Sequence, residues 1–335
     1  MGAAPLGIAI VGCGRIARSH AGAIAALPAL GRLVAVADAD LGRARASAAQ
    51  FGVPLAVQGL EEVLARPEVE AVVLCTPNGL HEPQSILALE SGRHVLVEKP
   101  MADDAGGAAR MAAVAARTGR VLVLGQTMRH TTPIRWLQDH RHDFGALRAV
   151  EVSMCVRWDG PQAPWWKNRT RREGLILSLF APHALDFVQL VMGDDPLNVH
   201  AEAHRCQQDW AGEDEAMILL RYPGGRLASL HISYNQRFVV DRRTMHFEDA
   251  MVRIEDGDFL WVDNRAVLQP ADPSSAPAHQ MGSRDLLLFF RNQFTEFVHA
   301  VRGAPHRSVL ADEGVRLTRL VDRVIESALR NAGEA

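Results

Sequence analysis

An apolar run, Gly7-Ile8-Ala9-Ile10-Val11, leads directly into Gly12-Cys13-Gly14-Arg15-Ile16-Ala17, a G-x-G-x-x-A turn that opens an alanine-rich stretch of helical length. Few patterns restrict a fold as tightly. The first glycine permits the tight turn, the second lets a pyrophosphate approach the backbone, and the small third residue, Ala17, lets the helix lie close on the strand. The first helical turn, with Arg15 and Ile16, offers N–H groups and partial positive charge to phosphate. A second strand-like run ends at Asp38, at the distance where an acid accepts hydrogen bonds from the adenosine ribose. Its charge repels a 2′-phosphate and Ala39 follows it rather than arginine, so the expected cofactor is NAD in preference to NADP. Asp38 is also a possible helix cap, a role that Asp40 ahead of Leu41 fills at least as well.

Up to about residue 127, short β-branched runs alternate with alanine-rich helical stretches, the texture of strand-helix-strand units on a parallel sheet. Strands are expected at Gly7–Val11, Leu33–Ala37, Ala71–Cys75, His94–Val97 and Val121–Gly125, with helices near Ile16–Leu27, Leu41–Phe51, Pro83–Ser91 and Ala105–Thr118. Ligands of such sheets lie at the carboxyl ends of the strands. Thr76, Pro77 and Asn78 stand at one of these ends and Glu98-Lys99-Pro100 at the next, so both groups are candidates for the nicotinamide half of a cofactor site. His81 follows one turn later and is a candidate for the same cofactor site; its place inside a helical segment suits packing or capping better than catalysis. From Ala149 onward, longer extended runs at 149–156, 216–222, 226–234, 243–248 and 250–255 are joined by turns such as Pro223-Gly224-Gly225, which suggests antiparallel pairing. The expectation is an α/β protein with a dinucleotide-binding domain at 1–127 and a second, α+β domain at 128–335. A loop at Gln269–Ser283 precedes two closing helices, 284–302 and 311–331, which are able to pack back on the first domain.

Composition narrows the partners. A formal net charge of −3 gives no basic excess to attract nucleic acid or an anionic membrane. The apolar start is too short for a membrane span and has no basic region ahead of it, so a cytoplasmic location is expected. The four cysteines are scattered, and the 14 histidines include no H-E-x-x-H or zinc-finger spacing, so no metal is expected. Lysine occurs only at Lys99 and Lys167, although Lys and Arg together number 36. Arginine stays charged at any usable pH, whereas burial or a neighbouring cation can depress an ammonium until it exchanges protons. Lys99, at the edge of a cofactor-binding sheet, is therefore a candidate acid/base.

Taken together, these residues resemble the GFO/IDH/MocA family, the relatives of glucose-fructose oxidoreductase and myo-inositol dehydrogenase. The resemblance rests on the G-x-G-x-x-A turn, Asp38, C-T-P-N-x-x-H at 75–81, E-K-P at 98–100, and the crossover with Gly125, Gln126, Arg129 and Pro133. Trp166-Lys167, His183-x-x-Asp186 and Ala311-Asp312-Glu313-Gly314 extend it. It implies a Rossmann domain followed by an open, mostly antiparallel sheet used for a homodimer or homotetramer, and a Lys99-Pro100 bond able to be cis. It also implies hydride transfer between NAD and a secondary alcohol or ketone of a sugar, inositol or related cyclic polyol. Lys99 would orient the hydroxyl and His183 take its proton, with Arg129, Trp166 and Lys167 contacting the remainder of the substrate. Many members have an aspartate four residues before the histidine; here that position is Leu179. Asp186, one turn after His183, is the remaining candidate to orient it, or else pairs within its helix.

Other chemistries stay in view. A short-chain dehydrogenase needs a tyrosine four residues before a lysine, whereas Tyr222 and Tyr234 precede Arg226 and Phe238 at that offset. An NAD-dependent glycosidase of the same fold would hydrolyse a glycoside without net NADH. A non-catalytic dinucleotide-binding regulator is made conceivable by Leu179, with Lys99 and His183 arguing against it.

Overall fold

A computed structural model describes residues 4–158, 174–207, 211–272, 274 and 285–333. The chain divides into two compact units, 1–127 with 287–318, and 128–286 with 319–335.

The first unit is wound as β1 (Leu6–Val11), α1 (Arg15–Ala25), β2 (Gly31–Ala37), α2 (Leu41–Phe51), β3 (Ala56–Val57), α3 (Leu60–Leu64), β4 (Ala71–Leu74), α4 (His81–Glu90), β5 (His94–Glu98), α5 (Ala105–Thr118) and β6 (Leu122–Gly125). β1, β4 and β6 are buried at every position, because helices on both faces of a parallel sheet leave no solvent side. The helices begin and end where the sequence signals them. The Asp40 carboxylate accepts hydrogen bonds from the N–H groups of Gly42 and Arg43 at the start of α2, and Asp104 accepts one from Gly107 at the start of α5. Gly52 and Gly119, at φ 65° and 64°, end the same two helices in the left-handed conformation.

The second unit begins with α6 (Thr132–His140) and continues through β7 (Leu147–Arg157), α7 (Ile176–Leu179), α8 (Ala181–Met192), β8 (Asn198–His204), β9 (Glu215–Arg221), β10 (Leu227–Ser233), β11 (Asn235–Phe247), β12 (Met251–Glu255), β13 (Phe259–Val262) and β14 (Arg265–Leu268). Its eight strands lie in the order β14-β13-β12-β11-β7-β10-β9-β8. All pairings are antiparallel except β10 with β7. Strict alternation of buried and open positions along β9 marks a sheet with one covered face.

The chain then returns to the first unit. Within α9 (Leu286–Val301), Phe294, Phe297 and Val298 join Leu6, Ile8, Ile10, Ile24, Val73 and Leu96 in one buried cluster. β15 (Val309–Leu310) adds an antiparallel edge to β6, giving the order β15-β6-β5-β4-β1-β2-β3. The division between the units falls inside the last helix, α10 (Ala311–Asn331). The expected α/β class is the observed one: a Rossmann sheet and a second, mostly antiparallel sheet. Several elements were not expected from sequence: β3, α3, α6, α7, β8, β13, β14, β15 and the first half of β11.

Candidate functional site

The strand order of the first sheet reverses between β1 and β4, the place where open α/β sheets hold their ligands. Gly12 leaves β1 at φ +88°, and a Cβ there would stand 2.7 Å from the carbonyl carbon and oxygen of Cys75, just past β4. This glycine is demanded by the protein itself. Gly14, the N-cap of α1, is different: a Cβ built on it meets nothing within 4 Å, and no side chain caps the helix. Its smallness therefore clears room over the first turn of an 11-residue helix, where Arg15 and Ile16 begin the chain of N–H donors. Ala17 is buried, as close packing of α1 requires.

Asp38 closes the cradle from β2. Its Oδ2 accepts the Cys13 N–H at 2.8 Å and its Oδ1 the Asp40 N–H at 2.9 Å, with Arg43 Nε 3.5 Å from Oδ1. Each carboxylate oxygen carries a further lone pair, so these bonds orient the group and still leave capacity for ribose hydroxyls. Open space over the helix N-terminus beside a fixed carboxylate fits a dinucleotide.

The carboxyl ends of β4 and β5 are tied together by His81. The ring is 1% exposed, with Nδ1 2.7 Å from the Pro100 carbonyl oxygen and Nε2 2.8 Å from that of Thr76. Burial pushes this imidazole below its usual range, and a neutral ring donates to one carbonyl at a time. His81 thus braces the two loops from within. Thr76 is held in turn, its hydroxyl donating to Gln84 Oε1 at 2.7 Å, and Asn78 is buried just after Pro77 in a short 3-10 turn.

Lys99 follows β5, half-buried, and its bond to Pro100 is cis. Burial holds the ammonium below the ordinary lysine range; the Glu98 carboxylate pulls upward, and Arg15 downward again. Glu98 is 7% exposed. Its Oε1 lies 2.8 Å from His20 Nε2, and its Oε2 accepts the Lys99 backbone N–H at 3.2 Å. Burial alone raises a carboxyl group, but the bond and charge of His20, with Lys99, outweigh it and the net direction is down. His20 did not figure among the sequence candidates. The signal was present: Ala17, His20, Ala21 and Ile24 all lie on the buried face of α1, and an imidazole on such a face requires a partner.

In the second unit, α8 carries His183 and Asp186, both buried. Arg129 grips Asp186 with two parallel bonds, Nε to Oδ2 at 2.7 Å and Nη2 to Oδ1 at 2.8 Å, and the pair is almost fully enclosed. Two charges out of water require this mutual satisfaction. Arg129 and Asp186, expected to contact substrate and to orient His183 respectively, hold each other in this pair. Leu179 is buried on α7, and beside it Ser178 donates its hydroxyl to the Gly174 carbonyl at 2.8 Å. Trp158 is buried against Tyr234, ring centroids 4.3 Å apart, and near Phe180 at 6.1 Å. Trp166 and Lys167 lie outside the described residues. Among the described residues, no group of three or more His, Cys, Asp or Glu side chains is arranged to hold a metal. No helix there is long and apolar enough to cross a membrane.

A glycine cradle at the reversal point of a parallel sheet, with a fixed acid on β2 and a lysine at the same edge, defines a Rossmann-type dinucleotide-binding oxidoreductase. Comparison with known proteins specifies it further. A family model described as an oxidoreductase family with an NAD-binding Rossmann fold matches residues 6–126, and one for the GFO/IDH/MocA C-terminal domain matches 140–253. An uncharacterized oxidoreductase of Rhizobium meliloti is 47% identical over 315 residues, 90% of each chain. An inositol 2-dehydrogenase of Rhizobium meliloti strain 1021 is 24% identical over 95% of each chain. Among solved structures, an oxidoreductase from Agrobacterium radiobacter in complex with NAD+, L-tartaric acid and magnesium superposes with a TM-score of 0.86 at 19% identity, over 97% of both chains. The chain belongs to the GFO/IDH/MocA family of oxidoreductases.

Proposed function

We propose that this protein is an NAD-dependent dehydrogenase that moves a hydride between nicotinamide and a secondary alcohol or ketone of a sugar, inositol or related cyclic polyol. The observation that carries the reading is Lys99. An ammonium held below its usual range by burial stands at the carboxyl edge of the sheet whose β1–α1 turn forms the dinucleotide cradle. NAD, when bound, supplies the hydride acceptor. The chain's own residues do the remainder. Asp38 accepts the ribose hydroxyls and disfavours a 2′-phosphate, Thr76, Pro77 and Asn78 border the nicotinamide, and His81 keeps their loop in register with Lys99. Lys99 hydrogen-bonds the reacting hydroxyl, and His183 takes its proton. The name of the inositol 2-dehydrogenase relative supports the substrate class.

A homodimer or homotetramer formed through the second sheet is part of the same proposal. Met217, Leu219 and Leu227 lie on one face of β9 and β10 at 50%, 54% and 53% exposure, apolar side chains that such an interface would cover.

A panel of polyols and keto-sugars, followed by NADH fluorescence, tests the reading. At least one polyol reduces NAD, with higher kcat/KM for NAD than for NADP. Lys99→Met lowers kcat by about 10²–10⁴-fold while the Kd for NAD stays near wild type. Undiminished turnover in that variant overturns the assignment.

A further inference from the structure

His20 stands outside every motif that pointed to the site, yet it is the side chain that holds Glu98. The imidazole is 2% exposed on α1, its Nε2 is 2.8 Å from Glu98 Oε1, and Phe290 of α9 meets the ring edge-on at 4.8 Å between centroids. The other carboxylate oxygen is occupied by the Lys99 backbone N–H. Behind Oε1 runs β6, where a Cβ on Gly125 would come within 3.2 Å of that oxygen. Glycine at 125 thus admits the carboxylate, and His20 fixes which way it faces. We infer that His20 is a positioning residue for Lys99: by holding Glu98 from the α1 side it prevents that carboxylate from closing on the Lys99 ammonium, and so confines Glu98 to a through-space effect on that ammonium.

Two side chains compete for one carboxylate, the His20 imidazole and the Lys99 ammonium. A carboxylate in direct contact with an ammonium strengthens the protonated form and ties up its hydrogen-bond donors. One anchored through both oxygens elsewhere acts on the ammonium only through space. Among the described residues, few charged or titratable groups act on the pair. Arg15, at the start of α1, opposes a proton on Lys99; Cys75, past β4, is driven well above its usual range first by burial and then by Glu98. His81 feels both Glu98 and Asp103. From β6 and α9 the facing groups are Gly125 and Phe290, neither of which titrates. Loss of His20 therefore frees Oε1 toward Lys99, whose charge already acts on it.

This inference rests on the reading of Lys99 as the residue that binds the reacting hydroxyl, but its test needs no substrate. The chain has two lysines, so full-length protein grown on ¹³Cε-lysine gives two side-chain resonances, assigned with Lys167→Arg, and the Lys99 signal is followed through a pH titration. In wild type it titrates below free lysine. In His20→Leu, and in His20→Asn should the leucine variant not fold, the midpoint moves upward by about one unit, a tenfold gain in proton affinity. His20→Gln, whose amide N–H reaches the same oxygen, stays near wild type. Glu98→Gln moves the midpoint down, and adding His20→Leu or His20→Asn to Glu98→Gln changes nothing further, because His20 acts only through Glu98. An unmoved Lys99 midpoint without His20, or an equal effect of its loss with and without Glu98, overturns the inference. Absence of polyol turnover, with these titrations as expected, overturns the function proposed above and leaves this arrangement standing.

Discussion

Single residues in this chain show how burial decides chemistry. On β11, Asp241 and Arg243 are buried on one face of the sheet, the guanidinium 5.2 Å over the Phe187 ring. Burial pushes the Asp241 carboxyl up to about 6 from 3.8; Arg243 draws it down, and Asp256 and Asp258 add to the rise. A group whose folded value lies above its unfolded value contributes stability that is complete below the unfolded value and is lost as pH rises through the folded one. Stability should therefore decline between about pH 4 and 6 by up to about 3 kcal/mol from this group. Urea unfolding across that window should show the decline in wild type and a flatter profile in Asp241→Asn; parallel profiles would assign the pH dependence elsewhere. Residues of this kind were hidden from the sequence. Asp241-Arg242-Arg243 reads as a solvated charge run, and only the pleat, which turns 241 and 243 inward together, reveals the pair. The place of Lys99 at a strand end was legible because the apolar run before it and the Glu-Lys-Pro motif agreed. His20 was not, because nothing local announces a partner 78 residues away.

Among the elements, the β1–α1 turn separates what the fold requires from what a ligand requires. Gly12 needs both its positive φ and its lack of a Cβ, whereas Gly14 has open space where a side chain would go. Gly12→Ala should cost about 1–3 kcal/mol from the backbone conformation alone, with more from contact with Cys75, and should lower the thermal midpoint. Gly14→Ala should change stability by less than about 1 kcal/mol yet weaken NAD binding at least tenfold. Differential scanning calorimetry paired with titration of NAD into both variants checks the contrast; equal stability losses would refute it. The strongly patterned elements were legible for the same reason that this turn was: local propensity and long-range packing call for one conformation. β8 escaped notice because it buries only Ala201 among Asn, Val, His and Glu neighbours, a weak alternation. The front of β11 was missed because its pairing with β7 slips between Asn235 and Val240, where Phe238 and Val239 point to solvent. A bulge breaks the period-two pattern on which strand recognition depends.

For the molecule as a whole, the unresolved matter in the sequence was where the closing helices belong. An amphipathic helix announces that it has a buried face but not which sheet receives it. The structure supplies the partner: a Cβ on Gly31 of β2 would stand 2.6 Å from Phe294 Cζ, and Thr127 donates its hydroxyl to Gln293 at 2.8 Å. Segment 287–318 is thus part of the first unit's core, although more than 150 residues separate it from β6. A domain cut at 127 would keep the cradle, Asp38 and Lys99 yet lack the phenylalanines that cover β1 and β2. The 1–127 fragment should then retain helical circular dichroism but lose cooperative unfolding and bind ANS, the signature of secondary structure without fixed packing. In the full chain, Phe297→Ala should cost about 3–5 kcal/mol and weaken NAD binding, through a residue far in sequence from every cofactor motif. If the fragment instead unfolds in a single sharp transition with full NAD affinity, then α9 is dispensable to the first unit, and the nucleotide site depends only on the strands that carry its motifs.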